Sequence, residues 1–439
     1  MLESMLNAFR APDIRKRILF VLVVLVIYRA LAHVLIPGIN VQALNTQGGD
    51  TGFFSLLSLF SGGDVRRMSV VGLGLNPYIN ATIIMQILQS TIPSLQALSR
   101  EGEYGRNKIT SYSRMLSVPL AALQAYGILA FVQNDMLRNS GTQAFTTNFS
   151  FETYQSLTQI LALTVGSVVL MWLGELITEK GIGNGISFII FAGIVSRVPS
   201  AVGSFFTSPD WLELFAFGVV GLVIIFVIIF VQEGQRRIPI QYANRVRGHR
   251  IYQGGSTFLP LRVNMAGVIP IIFAISILLF PYQIATYFTA SNVGWVRDVS
   301  TGIISWLNPQ GAFYLSLYFL LTFAFAFFYT FIVFKPDETA NNLRKSGGFI
   351  PGIRPGQPTE DYLRRVALRI TVAGAIFVAT VAVLPMAISA LPMFKNLQSA
   401  GIGVGLGGTS VLIVVSVVVE TMKQLEAQLM MRSYEGFIR

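Results

Sequence analysis

Apolar residues in this chain come in long blocks instead of the short alternations of a soluble fold. Residues 214–231, 265–285 and 313–334 carry no charged side chain, and each is close to the roughly 20 residues a helix needs to cross a bilayer. Marking every such block predicts ten spans, at about 18–37, 67–92, 113–133, 154–176, 184–203, 213–231, 265–287, 313–334, 367–390 and 409–430. The second block is broken. An apolar piece containing Phe53, Phe54, Leu56, Leu57, Leu59 and Phe60 stops at Ser61-Gly62-Gly63-Asp64, with Arg66 and Arg67 behind it. The apolar run restarts at Gly72-Leu73-Gly74-Leu75-Asn76-Pro77. Asn76 as N-cap and Pro77 at the first helical position predict a new helix there. Non-helical backbone at membrane depth is stable only where protein or a water-filled cavity satisfies its polar groups. The break therefore predicts a cavity inside a helical bundle.

Composition agrees with a polytopic membrane protein: of 439 residues, 53% are hydrophobic and 12% charged. Charge then sets the orientation. With the N-terminus inside, 25 of the 32 lysines and arginines fall on the inner side. Only Arg29, Arg66, Arg67, Arg138, Arg197, Arg297 and Lys395 are left for the outer side or its edge. The positive-inside rule therefore predicts both termini in the cytoplasm and a cell-membrane location. A hinge near 203–211 separates five spans from five, giving units 1–205 and 206–439. An odd number of spans per unit inverts the second unit relative to the first, a plan in which the two meet at a central site.

Several chemistries have no support. The chain has no cysteine, and His33 and His249 lie on different kinds of segment, so no metal site is expected. Gly181-Ile182-Gly183-Asn184-Gly185 and the glycines at 401–408 superficially resemble phosphate loops. Neither is followed by a Walker lysine or set in a βαβ unit, so both read as tight turns where helices begin. No catalytic triad or paired-carboxylate constellation appears, and neither enzymatic activity nor a cofactor is predicted. Charged residues are scarce deep inside the spans, and Arg29, Glu175 and Glu420 lie toward span ends. Ion-coupled transporters need charged groups near mid-membrane. A secondary transporter of a small solute, the rival reading, would therefore lack its polar midplane site. Arg15-Lys16-Arg17, the apolar run that follows and Ala30-Leu31-Ala32 mimic a cleavable signal. A retained first span with a basic flank explains the same residues, and Arg29 beside the supposed cleavage point favours it.

A passive conduit needs a gate, and a narrow aliphatic ring supplies one by expelling water. Leu75, Ile79 and Ile83 share one helix face, Ile186 and Ile190 share another, and Ile272 and Ile413 are further candidates. Two large basic loops, 232–263 and 335–366, carry Arg236, Arg237, Arg245, Arg250 and Arg354. Prolines and glycines around Arg354 predict a turn that holds it outward. Such loops serve topology and anionic lipid, or dock an acidic or phosphate-rich partner.

The residues then become recognisable. Phe60-Ser61-Gly62-Gly63, Asn76-Pro77-Tyr78-Ile79, Arg100-Glu101-Gly102-Glu103, Thr178-Glu179-Lys180-Gly181-Ile182-Gly183-Asn184-Gly185, Gln235-Arg236-Arg237-Ile238, Val263-Asn264-Met265-Ala266-Gly267 and Gly407-Gly408-Thr409-Ser410 resemble, in order and nearly end to end, the SecY family of protein-conducting channels. The resemblance implies an all-α fold of ten transmembrane helices in two inverted halves around an hourglass pore. It implies that 51–64 is a plug, that Leu75, Ile79, Ile186, Ile190, Ile272 and Ile413 form a pore ring, and that spans two, three, seven and eight form a lateral gate for signal sequences. It also implies docking of the SecA motor or the ribosome at Arg236, Arg237, Arg245, Arg250 and Arg354, and partner subunits SecE and SecG. The cargo would be unfolded preproteins, with membrane segments released into lipid.

Overall fold

The computed structural model describes residues 12–39, 68–140, 145, 154–196, 198–199, 211–242, 245–247, 250–252, 255–289, 293–308, 311–389 and 408–438. Its helices are α1 Pro12–Leu31, α2 Asn76–Thr91, α3 Pro93–Arg100, α4 Glu103–Ser140, α5 Tyr154–Lys180, α6 Gly185–Val195, α7 Trp211–Glu233, α8 Ile269–Phe288, α9 Gly294–Trp306, α10 Ala312–Val333, α11 Pro336–Lys345, α12 Gln357–Ser389 and α13 Gly408–Ile438. Five short strands complete the described residues: β1 Gln235–Tyr242, β2 Arg245–Arg247, β3 Arg250–Tyr252, β4 Ser256–Arg262 and β5 Gly348–Phe349. The bundle is helical throughout, and the strands belong to the two large basic loops. On length and composition alone, Tyr154–Lys180, Ala312–Lys345 and Gln357–Leu384 are long and apolar enough to cross a bilayer among the described residues. The count of ten spans thus rests on the hydropathy of the sequence. The expected plug at 51–64 and the expected boundary between units near 205 lie outside the described residues.

Helix limits differ from the apolar blocks where polar residues continue a helix or backbone partners end one. α4, α12 and α13 run well past their apolar cores. α6 is only 11 residues long and ends at Val195. α8 starts at Ile269, because 263–268 is held in an irregular turn by Asn264 Nδ2 donating to the Gly267 carbonyl at 3.1 Å. Asn76 is not the N-cap of α2. Leu75 occupies that place, its carbonyl accepting from Ile79 N at 2.9 Å, and Asn76 is already helical with Pro77 after it. α1 is packed into the bundle through buried Val21, Val24 and Tyr28, against α5 and α6.

The stretch 68–75 before α2 is non-helical and buried. Several of its backbone groups are nonetheless paired. Val70 N donates to Val34 O at 2.9 Å and Ile36 N to Met68 O at 3.0 Å, a short bridge to the chain after α1. Gly72 N and Gly74 N close turns onto Ser69 O and Val71 O. Ser167 Oγ on α5 donates to Gly74 O at 3.1 Å. Contact with α5 is so close that a Cβ on Gly166 would lie 2.0 Å from Val70 O.

The two basic loops form one small unit. β1 pairs antiparallel with β4, Arg236 opposite Leu261 and Ile240 opposite Thr257. On its other edge β1 pairs with β5 from the second loop, Gln241 opposite Phe349. Alternation along β1 turns Ile238 and Ile240 inward, onto Leu261, Leu343, Ile350, Leu363 and Val366. α11 and the start of α12 thereby share a core with the sheet.

Gly166→Ala should destabilise the protein by about 1–3 kcal/mol through overpacking against Val70. Gly221→Ala on α7, where nothing lies within 4 Å of the added carbon, should be neutral or stabilising by up to about 1 kcal/mol. Thermal unfolding of the two variants in the same lipid or detergent checks the contrast.

Candidate functional site

Four helix segments bring the expected ring positions into one apolar cluster, to which α1 and α5 also contribute. α2 brings Leu75, Ile79 and Ile83 to it; α6 brings Ile186, Ile189 and Ile190; α8 brings Ile272 and Phe273; α13 brings Ile413 and Val417. All six aliphatic positions expected to form a ring therefore fall in a single cluster. Leu75 is only 1% exposed, and Ile79, Ile190 and Ile413 are also buried. Ile186 and Ile272 are partly exposed, because they face open space on one side.

That space is a cavity of about 450 Å³. Its walls include Ile79, Ile186, Ile190, Ile272 and Ile413, while Leu75 lies beyond them in the packed cluster. Other lining residues give it a polar mouth: Thr82 and Gln86 of α2, Asn184 and Ser187 at the start of α6, Arg262 at the end of β4, Asn264, and Ser416 and Glu420 of α13. Arg262 ends the sheet, so the mouth lies on the side of the β unit. The Gln86 Oε1 is buried without a protein hydrogen-bond partner. A polar side chain at a wet vestibule has water as its natural partner.

The local sequence explains how the ring helices come close. Asn184 caps α6, its Oδ1 accepting from Ile186 N at 3.0 Å and Ser187 N at 3.3 Å. Thr178 Oγ1 accepts from Gly185 N at 2.9 Å. Gly183 sits at φ 83°, in the left-handed region that glycine enters freely. A Cβ on Gly185 would lie 1.9 Å from the Gly174 carbonyl. The glycine run is thus the tight turn that folds α6 back along α5 and sets Ile186 and Ile190 against the cavity. Periodicity alone did not mark Asn184, Thr178, Gln86 or Arg262; the capping pattern at Asn184 was the one signal available.

Ionic contacts lie at the margins. Arg114 Nε of α4 meets Glu175 Oε1 of α5 at 2.6 Å. Lys423 Nζ of α13 meets Glu233 Oε1 of α7 at 2.9 Å, and beside it Gln232 Nε2 donates to Ser416 Oγ. Arg29 of α1 donates to Ser196 Oγ at 3.2 Å. α8 packs against α2 and α4, closing the seam between spans seven, two and three.

The basic residues are dispersed over the β unit. Arg236 and Arg237 are exposed near the start of β1. Arg245 and Arg250 belong to the β2–β3 hairpin, opposite Tyr252 and Arg247, and Arg354 is exposed on a turn after β5. That turn has Gly352 at φ 81° and Gly356 at φ 106°, and Thr359 Oγ1 donates to the Arg354 carbonyl at 2.8 Å. The six apolar positions expected in the plug, Phe53, Phe54, Leu56, Leu57, Leu59 and Phe60, lie outside the described residues.

The SecY family profile matches residues 69–422, which takes in the six expected ring positions, the cavity and the β unit. The chain belongs to the SecY family. A protein translocase subunit SecY from Streptomyces scabiei is 42% identical over 448 residues, covering 100% of both chains. A solved structure of a protein-conducting channel is 18% identical, with a TM-score of 0.61 over 93% of this chain and 91% of its own. Sec61 in a canine ribosome–channel complex from the endoplasmic reticulum gives 18% identity and a TM-score of 0.59 over the same shares. A SecY family fold accounts for the broken second span and for the convergence of α2, α6, α8 and α13. It leaves no place for the solute-transporter alternative.

Asn184→Ala removes the acceptor of two backbone N–H groups at the start of α6 and should cost about 1 kcal/mol. Hydrogen exchange at the Ile186 and Ser187 amides should rise selectively, while Asn184→Asp should keep both protected.

Proposed function

We propose that this chain is the pore of a protein translocation channel in the cytoplasmic membrane, passing unfolded preproteins across and releasing membrane segments into lipid. The observation that carries the reading is the aliphatic cluster at the floor of a polar-mouthed cavity. Leu75, Ile79, Ile186, Ile190, Ile272 and Ile413 act as the ring. Their branched side chains seal against ions when they meet, and they offer a passing chain no hydrogen bonds to grip. The segment 51–64 acts as the plug beneath them. The cavity is the cytoplasmic vestibule, which puts the β unit and both termini in the cytoplasm. Residues 1–205 and 206–439 are inverted halves that part at the seam of α8 with α2 and α4, which admits signal sequences sideways.

The chain has no energy source of its own in this reading and no enzymatic activity. Work comes from the SecA motor or the translating ribosome, docked through Arg354, Arg236, Arg237, Arg245 and Arg250. The exposed, glycine-framed turn under Arg354 suits that role. A ribosome-bound relative of the same fold supports the ribosome as partner. SecE and SecG complete the complex, as the family resemblance implies.

Ile79→Asn or Ile413→Asn buries an unpaired amide in the closed ring, at a cost of about 1–3 kcal/mol. If the ring is the seal, that cost shifts the closed–open balance roughly 5- to 150-fold toward open. Proteoliposomes should show raised ion leak and acceptance of signal-defective precursors. Wild-type leak and selection would rule the ring out as the seal.

Arg354→Glu should slow precursor transport at limiting SecA, or ribosome binding, while leaving expression and thermal stability near wild type. Unchanged transport under those conditions would remove Arg354 from the docking surface.

A further inference from the structure

α9 contributes no residue to the cavity lining, and its sides differ sharply from one another. It joins the end of α8 to the start of α10. α8 begins six residues after β4, and α10 leads into α11 and β5. The far ends of α8 and α10, and α9 between them, therefore lie at the membrane face opposite the β unit. At 3.6 residues per turn, Ser300, Ile303 and Leu307 fall on one side, and they are buried or partly buried. Leu307 and Ile303 join the core cluster that also holds Leu278, Leu279, Tyr314 and Tyr318. A second side carries Trp295 (71% exposed), Val299 (54%) and Trp306 (68%). A third carries Arg297, Asp298, Thr301 and Ser305, all exposed.

A helix with one side in the core needs only a polar remainder if water surrounds it. Here the remainder is split between an apolar flank with tryptophan at both ends and a charged flank. That division suits a helix lying in the plane of a bilayer boundary, where aromatic rings gather and the polar flank stays wet. The apolar flank is also continuous with the outer surface of a spanning helix. Trp306 packs edge-on against Phe313 in the first turn of α10, ring centroids 5.4 Å apart, and Phe313 and Leu320 further along α10 are themselves exposed.

We propose that α9 is an interfacial helix, with Trp295, Val299 and Trp306 seated in the lipid headgroup region of the face opposite the β unit. Lipid, not a protein partner, covers this flank. Because α9 packs on α8, it ties the far end of that helix to the membrane boundary. Depth is set by the two tryptophans, which resist both withdrawal into water and immersion in the hydrocarbon.

The chain has 4 tryptophans, so single-tryptophan proteins are accessible. Trp172→Phe and Trp211→Phe are combined with Trp295→Phe or with Trp306→Phe in the full chain. Each protein is reconstituted into phosphatidylcholine vesicles whose acyl chains are brominated either near the glycerol or near the methyl end. Both Trp295 and Trp306 should be quenched more strongly by bromine near the glycerol, and only weakly by aqueous acrylamide. Three results would overturn the proposal: stronger quenching by the deep bromines, free access of acrylamide without bromine quenching, or protection from both quenchers. The last would mean that protein covers the flank.

Discussion

Backbone amides without water are the constraint on which this structure turns. Where chain within the bundle is not helical, each such stretch must find partners inside the protein. The segment 68–75 meets that demand by bridging to 34–36 and by receiving Ser167 from α5. The turn at 263–268 meets it through Asn264, while Gly374 lets α12 come so near that a Cβ there would lie 2.2 Å from the Val263 carbonyl. Both stretches end where a ring helix begins, α2 in the first case and α8 in the second. The position of Ile79 and of Ile272 is thus fixed by polar contacts at a helix start, while the cluster they join consists of hydrocarbon.

This division of labour separates sealing from placement. Aliphatic packing is non-directional, so the cluster of isoleucines does not fix where its own helices sit. Their placement is set by Asn184 at the start of α6 and by Gly185 against the Gly174 carbonyl. A small change at those polar or glycine positions moves a whole helix, whereas a swap among branched aliphatics at the ring changes little beyond volume.

The reach of sequence reasoning follows from the same physics. Long charge-free blocks such as 313–334 are unambiguous, because a spanning helix must satisfy every amide within itself, and α10 matches that block to within a residue. The ring residues were visible only as an i, i+4 stripe, which lipid-facing helices share, and it took the SecY resemblance to single them out. Boundaries were poorer wherever the ending depends on a distant partner. The Asn264–Gly267 turn that delays α8 until Ile269 leaves no mark in hydropathy, and Asn76 has cap chemistry but stands one residue inside the helix. The β unit was missed altogether, since β1 reads as a basic loop until Ile238 and Ile240 are given a core that comes from Leu343, Ile350 and Leu363, about a hundred residues away in the chain.

The pairing of β1 with β5 turns two loops into one lever. The first loop is strung between α7 and α8, and the second between α10 and α12. A push delivered at the Arg354 turn reaches β5 within a few residues, crosses to β1 through Gln241 and Tyr242, and arrives by way of β4 at the root of α8. Extended strands in this way couple the Arg354 turn to the start of α8 with far less give than an untethered loop.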